Sequence, residues 1–166
     1  MTATSLLVRK LLLPALLAWV ACAATAQSLT GFVVGVTDGD TVTVLLPTRV
    51  QLKVRLAGID APEQKQAFGQ RAKQRLSTLV FGKTVTVVGS KQDRYRRLIA
   101  KLLVDGQDAN LEMVSSGFAW HFKRYESEQA PEDRMTYARA EVSARSGRRG
   151  LWADPAPLPP WEFRHR

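Results

Sequence analysis

The chain has 166 residues, with 24 lysines and arginines against 15 aspartates and glutamates, a formal net charge of +9. Such a basic excess points to a polyanionic partner, either nucleic acid or anionic lipid, with solubility as the bland alternative. One cysteine and two histidines exclude a disulfide framework and a zinc cluster of cysteines and histidines.

The amino terminus carries Arg9 and Lys10, an apolar run over residues 11–20 and the small-residue exit Ala24-Thr25-Ala26. This pattern predicts a secretory signal peptide over residues 1–26, cut after Ala26, and export to the periplasm or beyond the cell. The competing reading is a retained membrane anchor, but the run falls short of the roughly 20 apolar residues that a spanning helix needs. Lipid attachment at Cys22 is disfavoured by its approach, Trp19-Val20-Ala21. Cleavage removes two basic residues and the only cysteine, so the mature protein is held together by its core. About 140 residues remain, enough for one domain and too few for two.

Residues 33–44 and 49–56 are predicted strands. The second alternates, with Val50, Leu52, Val54 and Leu56 on one face and Gln51, Lys53 and Arg55 on the other. Ala72, Leu76, Leu79 and Val80 recur at helical spacing, with Arg71, Lys73 and Arg75 opposite, and Gly82 ends that helix. Residues 84–88 and 98–104 are further strands, the latter followed by the turn Asp105-Gly106-Gln107. A short helix is expected from Asn110 to Gly117. A longer one starts after Ala130-Pro131-Glu132-Asp133, buries Met135, Ala138 and Val142, and stops at residues 146–150. The domain thus spans residues 27–154, and a proline-rich tail, 155–166, runs extended. Short strands with one inserted helix and others appended describe an α+β domain built on a small barrel.

Three segments concentrate chemistry: Asp38-Gly39-Asp40-Thr41, then Arg55-Leu56-Ala57-Gly58-Ile59-Asp60-Ala61-Pro62-Glu63, then Asp93-Arg94-Tyr95-Arg96-Arg97-Leu98. Carboxylates are hard ligands for Ca²⁺ or Mg²⁺, a spare carboxylate can take a proton from water, and guanidinium groups grip phosphate through paired hydrogen bonds. Taken singly, each feature has a plainer reading. Asp-Gly is a common turn dipeptide, Glu63 suits a helix start, and an arginine at a strand edge is usually solvated. No G-x-x-x-x-G-K-[ST] or G-x-S-x-G motif supports P-loop nucleotide hydrolysis or a serine nucleophile.

In the order and spacing of these segments, from about Gly31 to Gly150-Leu151-Trp152, the chain resembles the staphylococcal nuclease-like (thermonuclease) family. The resemblance implies a five-stranded OB-fold β-barrel with three helices. It places Ca²⁺ on Asp40, Asp60 and the backbone carbonyl of Ala61, and makes Glu63 the group that activates water. Arg55 and Arg97 become phosphate clamps, and Arg94, Tyr95 and Tyr125 bind the nucleic acid. It further implies a monomeric endonuclease acting on DNA and RNA, single strands preferred, with 3′-phosphate products and little sequence specificity. Two positions depart from the family pattern: Arg96 stands where glycine is usual, and Lys123 where a second tyrosine is usual. Trp120, Phe122 and Trp152 read as packing residues. Two further readings stay open at this point. One is a non-catalytic OB-fold module that binds nucleic acid, and the other is a peripheral envelope protein on anionic lipid.

Overall fold

The computed structural model describes residues 28–166, so the expected signal segment and Cys22 lie outside the described residues. The first two strands, β1 (Ser28–Val36) and β2 (Thr41–Leu45), pair antiparallel, with Val33 opposite Val44. The sequence predicts one continuous strand over 33–44; instead the chain reverses at residues 37–40. The Asp38 carboxylate accepts a hydrogen bond from the Asp40 amide at 3.0 Å, an Asx turn that competes with extended backbone. Next, β3 (Gln51–Leu56) pairs with β2 and places Arg55 opposite Thr41. Its alternation holds for Val54 and Leu56, which are buried, but Val50 lies before the strand and is exposed.

Two residues form β4 (Ile59–Asp60), and α1 (Gly69–Val80) then buries Ala72, Leu76 and Val80. Two long strands follow, β5 (Thr84–Gln92) and β6 (Leu98–Val104), with β7 (Gln107–Asp108) beside β6. The sheet runs β3-β2-β1-β5-β6, and parallel pairing of β3 with β6 closes it into a five-stranded barrel. That closure sets Arg55 opposite Ile99. Its interior is filled by β-branched side chains, with Val33, Val42, Val44, Val54 and Val87 all fully buried. Each contributes about 1.5–3 kcal/mol by leaving water. This is the OB-fold barrel with three longer helices that the resemblance implies.

Asp108 caps α2 (Ala109–Ser115) by accepting from the Leu111 amide at 3.0 Å. The chain then pairs β8 (Trp120–His121) with β4, opposing Trp120 to Asp60, and passes through a 3-10 turn over Lys123–Glu128. In α3 (Pro131–Ser146) the predicted buried face is wrong: Met135 is 53% exposed and Val142 63%. The face turned inward carries Tyr137, Glu141 and Ala144. Glu141 tolerates burial because it accepts from the His121 amide at 3.1 Å and from Lys123 at 2.7 Å, so its charge is paired.

A smaller apolar cluster, Trp120, Ala144, Leu151 and Trp152, lies beside the barrel, with Phe68 and Trp161 packed on it. After a 3-10 turn at Gly150–Ala153, residues 155–159 have no regular secondary structure. Pro160 then opens a single helical turn, α4 (Pro160–Phe163), where a missing amide proton costs nothing. Among the described residues no helix is long and apolar enough to cross a membrane.

Candidate active site

Strand pairing, rather than any single loop, assembles the acidic half of the site. Asp40 ends the turn into β2 and Asp60 sits in β4, both buried. Gly39 allows this approach: a Cβ there would stand 2.6 Å from Ala61 Cβ and 2.7 Å from Ala72 Cβ. The Ala61 amide donates to Asp40 Oδ2 at 2.8 Å, fixing the two acidic segments against one another.

Arg55 lies between the acids. Its Nε is 3.2 Å from Asp40 Oδ1, and its Nη2 donates to Asp60 Oδ1 at 2.9 Å. Nη1 donates to the carbonyls of Leu56 and Ile59 at 3.0 and 2.9 Å. Most of this guanidinium's hydrogen-bonding capacity is therefore spent on the protein, and its first role is to hold two buried carboxylates together.

Arg97 joins from the turn that leads into β6. Its Nη1 donates to Thr41 Oγ1 at 3.4 Å, and that hydroxyl donates to Asp40 Oδ1 at 3.1 Å. Asp93 positions it, taking bonds from the Arg97 Nε, the Arg97 amide and the Tyr95 amide. Burial works against the charge of Asp93, but these bonds outweigh it and hold the carboxyl below its ordinary value. Arg94 and Arg97 lie over the Tyr95 ring, 4.8 and 5.5 Å from its centre, and the ring remains open to solvent. Arg96 adopts φ +63°, the left-handed backbone that favours glycine. The loop thus keeps the glycine conformation with arginine in place.

Glu63 lies in the loop before α1, not in the helix's first turn, which has no acid. Its carboxylate accepts from Arg164 at 2.7 Å. The same guanidinium donates to Asp60 Oδ2 at 2.8 Å and to Asp60 Oδ1 at 3.3 Å. Tyr125 stands apart on the 3-10 turn, edge-on to Phe122 with ring centres 5.5 Å apart, and exposed. The structure therefore links Asp40, Asp60, Ala61, Arg55, Glu63 and Arg97 in one hydrogen-bonded set. Arg94 and Tyr95 lie at its edge, and Tyr125 lies on a separate ledge.

Sequence reasoning missed three participants. Thr41 bridges Arg97 to Asp40. Asp38 is pushed up to about 6, first by burial and then by the charge of Asp40. Arg164 comes from a tail that lies over a hundred positions away in the chain. The only available signal for it was a tryptophan-containing turn ending in arginine after a proline run.

Burial pushes the Asp60 carboxyl up, while Arg164 and Arg55 draw it down. Asp40 and Asp60 are buried carboxylates that share the Arg55 guanidinium, and carboxylate oxygens suit a hard cation. Among the described residues no three His, Cys, Asp or Glu side chains come together so as to hold a metal ion by themselves. A cation held by Asp40 and Asp60 would need backbone oxygen and water to complete its shell, ligands that Ca²⁺ and Mg²⁺ accept.

The family model for staphylococcal nuclease homologues matches residues 53–154. The chain belongs to this family. Its relatives include an uncharacterized endonuclease of Haemophilus influenzae, 41% identical over 160 residues, covering 95% of this chain and 86% of that one. A micrococcal nuclease of Shigella flexneri is 41% identical over 143 residues, covering 81% and 79%. A probable staphylococcal-like nuclease of rice, Oryza sativa subsp. japonica, is 41% identical over 112 residues, 68% of this chain but 32% of that larger protein. Family membership supports a hydrolase that acts on nucleic acid.

Proposed function

We propose that the protein is a Ca²⁺-dependent endonuclease, exported and monomeric, that cleaves DNA and RNA to 3′-phosphate products with little sequence preference and a preference for single strands. The observation that supports it best is the unbroken chain of contacts Arg97–Thr41–Asp40–Arg55–Asp60, with Glu63 linked to Asp60 by one shared guanidinium. Carboxylates to hold a cation, a carboxylate to take a proton and guanidinium groups for phosphate meet in one place.

In this reading Asp40, Asp60 and the Ala61 carbonyl hold the ion, which when bound supplies positive charge to the phosphate oxygens. Glu63 orients a water and takes its proton as that water attacks phosphorus. Arg97 stabilises the charge that builds on the equatorial oxygens, and Arg55 adds its remaining N–H while fixing the acids. The bond from phosphorus to the 5′-oxygen breaks, leaving a 3′-phosphate on one fragment and a 5′-hydroxyl on the other. Arg94 contacts a neighbouring phosphate, and Tyr95 and Tyr125 stack on bases, which tolerates any sequence.

The test is digestion of single-stranded DNA by the chain from Gln27 onward, with Ca²⁺, with Mg²⁺ and with chelator, beside Glu63→Gln. Cleavage that needs Ca²⁺ and falls by about 10²–10⁴ in the variant supports the assignment. Tight binding without cleavage under either metal, which the arginine at the left-handed position 96 could cause, would instead establish the binding module.

A further inference from the structure

The C-terminal strap brings a third guanidinium into the acidic site. Three contacts seat residues 155–166. Gln66 donates to the Leu158 carbonyl, Pro160 is buried, and the Trp161 ring lies 5.4 Å from Trp120 and 5.5 Å from Phe122. α4 then projects Arg164 onto Asp60 and Glu63.

The partners of each carboxylate oxygen define what Arg164 does there. Both Asp40 oxygens are bound by the barrel itself, through Thr41, Arg55 and Ala61. Asp60 Oδ1 is held by Arg55 at 2.9 Å and, at the longer distance of 3.3 Å, by Arg164, whereas Asp60 Oδ2 and the Glu63 carboxylate are held by Arg164. These are the oxygens through which a cation would reach Asp60 and a water would reach Glu63. Asp60 is 1% exposed, so its charge needs a positive neighbour, whereas the Arg164 side chain is 42% exposed and can leave into solvent. Asp60 and Glu63 in turn raise the proton affinity of the guanidinium, which stays charged throughout.

We propose that Arg164 is an internal counter-cation of the site: it occupies Asp60 and Glu63 until a divalent cation displaces it, and its departure frees Glu63 for water. The strap thereby raises the cation concentration at which the site becomes competent. This rests on the assignment of Asp60 to metal binding made above.

Metal binding without substrate tests it. Ca²⁺ affinity is measured by calorimetry on the wild type, Arg164→Gln, Arg164→Lys and Asp60→Asn, with thermal unfolding as a check that each folds. Removing a competing charge-assisted pair should tighten Ca²⁺ binding in Arg164→Gln by about tenfold. Arg164→Lys should fall between, because an ammonium cannot span both carboxylates as a planar fork does. In the wild type, Ca²⁺ should also speed trypsin cleavage after Arg164, read by intact mass. Equal or weaker Ca²⁺ affinity in Arg164→Gln overturns the strap proposal while leaving the metal assignment standing. Ca²⁺ binding that survives Asp60→Asn unchanged, or is absent from every form, overturns both.

Discussion

The acidic and basic halves of the site are built in opposite ways. Asp40, Arg55 and Asp60 belong to the turn before β2, to barrel strand β3 and to the short strand β4, are largely buried, and brace one another. Arg94, Tyr95 and Arg97 belong to one turn, which the Asp93 carboxylate organises through hydrogen bonds within five residues. The groups that hold an ion in the proposed function would need fixed spacing, and the fold supplies it. Arg94 and Tyr95, which the proposed function sets against the substrate, receive only local organisation and stay exposed. Changes in the first half should therefore register in stability, and changes in the second in turnover or grip.

Arg55 and Arg97, the proposed phosphate clamps, separate the halves most strongly. Arg97→Ala should lower cleavage by about 10²–10³ with little loss of stability, as for removal of one donor to a developing charge. Arg55→Ala should cost about 3 kcal/mol of folding stability, because it strands two buried carboxylates, and Ca²⁺ should restore part of it. Denaturant melts of both variants with and without Ca²⁺ check this; equal stabilities would erase the distinction. Next in size, Tyr95→Ala or Tyr125→Ala should weaken single-stranded DNA binding by about tenfold each, read by fluorescence anisotropy, with the melting temperature unmoved.

Asp38 gives a pH signature to the acidic half. Its carboxyl holds a proton to about pH 6 in the folded chain against an ordinary value of 3.8. Between those values the folded state binds more protons than the unfolded one, so this group's contribution to stability is lost as pH rises through the window. Asp38→Asn should flatten that loss in melting temperatures taken from pH 4 to 7; an unaltered slope would remove Asp38 from the electrostatics. The smallest effect belongs to the basic turn. Arg96→Gly should relieve the left-handed backbone at φ +63° and raise stability by about 0.5 kcal/mol, which urea titration can resolve.

The legible parts of this molecule were those whose cause is local. Alternation at Val54 and Leu56 marked the inner face of β3, and three short segments carried most of the acids and arginines that the fold brings together. The face of α3 was not legible. Its inward position 141 is a glutamate whose burial depends on Lys123 and the His121 amide, partners that no helical period reveals. The reversal at Asp38-Gly39-Asp40 was signalled by its Asp-Gly dipeptide, but the valines on both sides carried the strand prediction across it. Arg164 was missed because its contacts span the whole domain.

The parallel seam between β3 and β6 has a kinetic consequence. It joins segments more than forty residues apart with Arg55 opposite Ile99, so it must form late, after the local hairpins have closed their loops. Until that seam closes, the chain holds Arg55 and Arg97 on separate hairpins with no defined distance between them. A slip of one residue would turn Arg55 inward among the valines. Chemical competence should therefore arrive in a single late event during refolding, with no partially active species before it.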